Sequence, residues 1–148
     1  MKSLDRAIAA ARAIRAELLR DPRKPRKLHG QCGLAAIQIA VAIGDPRSLR
    51  LGFFMNRTTF MGRRGRYPHV HAWNVVDNII VDVTATQFGH YPAVHVVPND
   101  CTRSPTSYVE TADGAQAFRE MVRDWLLGET DEYREPLRRF RALERRRA

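Results

Sequence analysis

Apolar residues recur along this chain first with a helical period and then with a strand period. Leu4, Ile8, Ala11 and Leu18 form one stripe between charged residues, which predicts an amphipathic helix over residues 4–19. Pro22 and Pro25 interrupt it in a basic connector. Residues 33–43, GLAAIQIAVAI, are apolar nearly all round. A helix with no polar face belongs in the interior, so this segment reads as a buried central helix. Gly44 and Pro46 supply its stop signal. Residues 51–55 read as a strand, and 57–68, polar and with two glycines, as a loop at the surface or beside a cleft. Residues 70–76 and 79–84 read as two strands around Asp77-Asn78, a pair that tolerates the positive φ of a two-residue hairpin turn. A short strand follows at 93–97. Asp113 and Gln116 suggest a capping box that opens a helix with Phe118, Met121, Val122, Trp125 and Leu126 on one face. Pro136 suits the first position of a last helix edged by Leu137, Phe140 and Leu143. The sum is a single α+β domain over residues 1–148. A small antiparallel sheet packs against the central helix, with other helices flanking.

The hairpin can be counted. If Asp77 and Asn78 form the turn, Val76 faces Ile79, Trp73 faces Asp82 and His71 faces Thr84. His71 and Asp82 are then diagonal neighbours on one face, and Asn74 lies on the other. A three-residue loop would slip the pairing by one and send Asp82 across the sheet.

Upstream, His29-Gly30-Gln31 brings Cys32 into the first turn of the apolar helix. There the free backbone N–H groups and the helix dipole favour negative charge, which lowers a thiol pKa. The same N–H groups suit the oxyanion of a tetrahedral intermediate. Cys32, His71 and Asp82 therefore supply a nucleophile, a proton carrier and an orienting carboxylate. Gln31 and Gln87 are candidate further oxyanion donors, and Trp73 a candidate substrate contact.

The segment HAWNVVDNIIVDVT resembles the transglutaminase-like core, in which an H-x-W strand precedes a strand ending in D-x-T. Gly30-x-Cys32 leading into an apolar helix is similar to the same papain-like and transglutaminase-like superfamily. The resemblance spans residues 28–88. It implies Cys32 as nucleophile, His71 as general base and acid, and Asp82 as orienting residue. Members include peptidases, protein-glutamine deamidases, transglutaminases and bacterial toxin domains. The interval from His71 to Asp82 is short for the family. The Trp that follows the nucleophile in papain is absent here, where Gly33 follows Cys32. The expected activity is a cysteine hydrolase or acyltransferase on amides of a protein or peptide, with a peptidase foremost. Glutamine deamidation and transglutamination are the alternatives.

Composition narrows the partners. The net charge is +9, with 25 Lys and Arg against 16 Asp and Glu. The basic residues cluster at 20–27, at Arg63-Arg64-Gly65-Arg66 and at 145–147. An acidic protein, a nucleic acid or a membrane surface would suit that charge, although no nucleic-acid-binding motif accompanies it. A basic binding module without catalysis is the rival reading of the fold. His69-x-His71, with Asp82 or His95, offers a competing metal set, but no metal-binding spacing such as Cys-x-x-Cys is present, so no metal or cofactor is expected. Two cysteines are too few for a disulfide framework, and a Cys32–Cys101 bond would block the thiol chemistry. With no signal-peptide pattern and no membrane-span pattern, the expected location is the cytoplasm.

Overall fold

Residues with apolar side chains on every side have no face to give to solvent, and the segment after Cys32 becomes the helix on which the others pack. The computed structural model describes residues 2–28, 30–99, 107–111 and 131–147. In chain order they form α1 (Ser3–Arg20), α2 (Cys32–Ile43), β1 (Leu49–Phe60), β2 (Arg63–Val76), β3 (Ile79–Asp82), β4 (His95–Pro98), β5 (Tyr108–Glu110) and α3 (Arg134–Arg147). In α2, Gly33, Leu34, Ala35, Ala36, Ile37, Ile39 and Ala40 are all buried. The fully buried Ala7 and Ala11 of α1, together with Leu137 and Phe140 of α3, belong to the same core. The architecture is α+β: these three helices and one antiparallel sheet of order β4-β3-β2-β1-β5.

The sheet is buried on both faces near its centre. Leu49, Leu51, Ala72, Val76 and Val81 point into the helical layer. Phe54, Trp73, Val75, Ile80 and Tyr108 form a second cluster on the opposite face, with Phe88, Tyr91 and Val97 against it. The β2–β3 turn is the two-residue Asp77-Asn78 turn, at φ 52° and 60°. The ladder pairs Val76 with Ile79 and Asn74 with Val81, as the count predicts. Asn74 faces the helices, where its Nδ2 donates to the Ala36 carbonyl at 3.0 Å and to Ser48 Oγ at 3.1 Å.

Several sequence expectations need correction. Residues 57–68, read as a loop, are the outer half of a long hairpin that turns at Met61-Gly62, with φ of 51° and 79°. Its pairing is continuous from Leu49↔Asn74 to Phe60↔Arg63. The outer half carries no alternation of apolar residues because neither face enters a core, so a burial pattern had nothing to mark. The expected strand at 79–84 stops at Asp82 and turns into a 3-10 helix, Ala85–Phe88. The edge strand β5 gives no pattern in three residues. Cys101 and the helix expected from Asp113 lie outside the described residues. No helix among the described residues is long and apolar enough to cross a membrane.

β5 reaches its place through Gly52. A Cβ there would lie 2.1 Å from the Val109 carbonyl oxygen and 3.0 Å from the Trp73 ring. The first contact is with backbone and is too close for any side chain, and the second is tight enough that the ring would have to shift. Gly52→Ala is expected to cost about 1–3 kcal/mol, the usual penalty of overpacking. Urea unfolding of the variant, with tyrosine fluorescence reporting β5, measures it. An unchanged midpoint would show that β5 is not packed as closely as described.

Candidate active site

The imidazole and the carboxylate are brought together by strand register. Cross-strand pairing puts His71, Trp73 and Asp82 on the aromatic face of the sheet. His71 Nε2 donates to Asp82 Oδ2 at 2.7 Å. Both groups are nearly sealed from water, at 1% and 2% exposure. A buried carboxylate survives only when its lone pairs are engaged. Asp82 meets that demand in full. Tyr108 Oη donates to Oδ2 at 2.7 Å, while the Thr84 amide and Thr84 Oγ1 donate to Oδ1 at 2.9 and 3.1 Å.

Charge in this pair follows from the partners. Burial opposes ionisation of Asp82, but His71 beside it and the Thr84 and Tyr108 donors hold its pKa below the usual carboxylate value. Burial likewise opposes the imidazolium, and the Asp82 charge and hydrogen bond, with a contribution from Cys32, push His71 up to about 10. The ring is enclosed by aromatics. Phe88 meets it edge-on at 5.0 Å, and Phe54 and Trp73 lie at 5.9 Å. These rings pack around the imidazole on the aromatic face of the sheet.

Cys32 arrives from the other side. It opens α2, and Gln31 provides no side-chain cap for the first-turn N–H groups. The β2–β3 ladder ends at Asn74↔Val81, after which the chain turns away from β2. The strand edge so released is where the thiol comes in: the Ala72 amide and the His71 ring both act on it. A thiol on the helical side of the sheet thereby reaches an imidazole on the aromatic side. Burial pushes the thiol pKa up, but His71 and the Ala72 amide outweigh it, so Cys32 lies below its ordinary value. Cys32 is a free thiol and is partly exposed, unlike its two partners. His71 Nδ1, the ring nitrogen not used by Asp82, is buried and has no well-directed hydrogen bond among the described residues. The thiol is thus within interaction range of the ring without a tight hydrogen bond.

The remaining candidates divide. Gln87 sits in the 3-10 turn after β3, and its Nε2 is buried with no partner among the described residues. That turn touches the connector before Cys32, where Thr86 Oγ1 donates to the Lys27 carbonyl at 3.4 Å. Gln31 has its Oε1 held by Lys24 Nζ at 2.8 Å. Trp73 is 2% exposed and packs on His71 and Tyr108, with Gly52 leaving room for its ring. Its ring is closed off from solvent behind the imidazole. The described residues contain no cluster of three or more His, Cys, Asp or Glu side chains able to hold a metal. His69 and His95 pack instead on Phe88 and Tyr91.

Sequence reasoning missed two supports. Tyr108 carries no local signal, because its hydroxyl reaches Asp82 from a strand three places away, across two intervening strands of the sheet. Arg15 of α1 donates to the Val83 carbonyl and to Thr86 Oγ1, pinning the turn behind Asp82. Thr84 was within reach: an Asp followed two residues later by Thr commonly closes a local side-chain-to-backbone bond.

Two outcomes are expected. Tyr108→Phe should cost about 1.5–3 kcal/mol, the range for a hydrogen bond to a charged group. Asp82 has a lowered folded pKa, so its contribution is present above its ordinary value of 3.8 and fades as pH falls through the lowered value. The difference between wild type and Tyr108→Phe should therefore shrink in strong acid, and a constant difference in urea titrations would contradict the role. His71 behaves in the opposite sense. Its contribution is complete below 6.5 and is lost as pH rises through about 10. For Cys32, the midpoint of iodoacetamide alkylation against pH should lie below the ordinary thiol value of 9.0, and His71→Ala should move the curve to higher pH. Superimposable rate profiles for the two proteins would remove the coupling.

No protein-family model, curated protein sequence or solved structure matches this chain, so its functional reading rests on the arrangement of its own side chains.

Proposed function

We propose that the chain is a cysteine hydrolase acting on amide bonds of a protein or peptide, with peptide bonds as the first class of substrate. One observation carries the reading. His71 spends Nε2 on a buried carboxylate and keeps Nδ1 without another partner, while a partly exposed thiol of lowered pKa is coupled to the same ring. A merely structural histidine would have both nitrogens satisfied by fixed neighbours. The order of a cysteine-bearing helix, then antiparallel strands with His and Asp, supports a papain-like or transglutaminase-like core as the framework.

In this mechanism the Cys32 thiolate attacks the amide carbonyl carbon, and the π electrons move onto oxygen. The first-turn N–H groups of α2 and the Gln87 Nε2 donor stabilise that oxyanion. His71 Nδ1 gives its proton to the nitrogen as the C–N bond breaks, leaving a thioester on Cys32. Water then passes a proton to Nδ1 and attacks the thioester carbon, and the thiolate leaves. Asp82 keeps the ring oriented and stabilises its positive charge throughout.

The test is a panel of casein, glutamine-containing peptides and small amides followed by intact-mass spectrometry. Fragments indicate peptide-bond hydrolysis, whereas a gain of about one mass unit, NH₂ replaced by OH, indicates side-chain deamidation by the same machinery. Cys32→Ala should abolish turnover and leave the fold intact. Asp82→Ala should lose less, since orienting residues contribute less than the nucleophile in comparable triads. Turnover retained in Cys32→Ala would end the thiol mechanism.

A further inference from the structure

The outer half of the β1–β2 hairpin carries a concentrated positive charge that the chemistry above does not use. No Asp or Glu occurs between Asp45 and Asp77, while Arg57, Arg63, Arg64 and Arg66 all lie in that interval. Register puts Arg57 directly opposite Arg66, and Thr59 opposite Arg64. Like charges facing each other across a ladder are destabilising. Arg57, Arg63 and Arg64 make no ion pair among the described residues, whereas eight other arginines do. Arg57, Arg64 and Arg66, with Thr58 and Gly65, line an open cleft of about 430 Å³.

The position of this cluster relative to the thiol is set by the alternation of the strand. Arg57, Arg64 and Arg66 share the face that carries Leu51 and Ala72, the face on which α2 packs. Ala72 is the residue whose amide acts on Cys32. Between Ala72 and the arginines the same face carries Val70 with Phe53 opposite, then Pro68 with Met55 opposite. Val70 is 57% exposed and Phe53 and Met55 are half-buried. An apolar track therefore leads from the thiol to a basic cleft. Arg66 is six residues along β2 from Ala72, about 20 Å at the rise of a strand. An extended polypeptide spans the same length with the same number of residues.

We propose that this arm docks an acidic segment of a protein substrate, held about six residues from the amide presented to Cys32. The proposal rests on the reading of Cys32 as a nucleophile toward a protein amide. Guanidinium groups pair carboxylates in a fork geometry, and the apolar track accepts the side chains in between. A nucleic acid needs positive charge along its whole path, and Val70, Pro68 and Met55 offer none between the thiol and the arginines.

Binding is separated from turnover by measuring it on Cys32→Ala. The probe is a fluorescein-labelled peptide of about twelve residues with three consecutive glutamates, followed by fluorescence anisotropy at low salt. Its glutamine counterpart, a single-stranded DNA of equal length and phosphatidylserine vesicles are the competitors. The acidic peptide should bind, lose affinity steeply with added salt, and bind about tenfold or more weakly to Arg57→Ala/Arg64→Ala/Arg66→Ala. Arg145→Ala/Arg146→Ala, which removes similar charge elsewhere, should change little. Thermal melts check that the arm variant remains folded. Equal affinity of the two variants, or stronger binding of DNA or vesicles than of the acidic peptide, would overturn the docking arm. Arm-dependent binding with no turnover of any amide by the wild type would instead remove the hydrolase reading and leave the arm standing.

Discussion

The structure depends on keeping one ion pair out of water. Taking a carboxylate and an imidazolium into an interior costs several kcal/mol per ion, and their attraction repays it only when the remaining polar atoms are satisfied. His71 and Asp82 are held at 2.7 Å, and three further donors occupy Asp82. The donors come from two different parts of the chain. Thr84 requires the chain to turn at once after β3. Tyr108 requires β5 to lie at the far edge of the sheet, which in turn requires the bare backbone of Gly52. The aromatic layer of Phe54, Trp73 and Phe88 packs around the imidazole, whose Nδ1 is left over from the pair with Asp82.

A second constraint comes from the unequal lengths of the strands. β2 has 14 residues and β3 only four, so most of β2 has no β3 beside it. Where β3 departs, the first turn of α2 takes over contact with β2, and the two faces of the sheet communicate at that edge. The thiol belongs to the helical layer and the imidazole to the aromatic layer. Had β3 continued two residues further, its backbone would have occupied the Ala72 amide and separated them.

The same length difference leaves the outer part of the β1–β2 hairpin projecting beyond both cores. Its strands are held by backbone pairing and not by burial, which frees the side chains for charge. Phe60 and Tyr67 pack on each other at 5.4 Å near the turn, an aromatic contact that keeps the ribbon paired without a core beneath it.

Much of this was legible in the amino-acid sequence. The apolar run after Cys32 could only be an interior helix, and Asp77-Asn78 allowed a turn with positive φ at both positions. From that turn, counting residues put His71 and Asp82 on one face and Asn74 on the other, because side-chain direction in a strand has a period of two. Other features depended on contacts between residues far apart in sequence. The hairpin beyond Asn56 has no buried face, so it left no apolar alternation to read. Tyr108 reaches Asp82 across two intervening strands, and Gly52 is required by a backbone that belongs to residues 109 and 110. Trp73 reads in sequence as a side chain beside the site, but its ring packs over the bare backbone of Gly52 and against His71. Local sequence determined which elements form and which way their side chains point. Tertiary packing decided which of those side chains meet, because burial, close approach and the end of a ladder are properties of pairs of segments and not of any one of them.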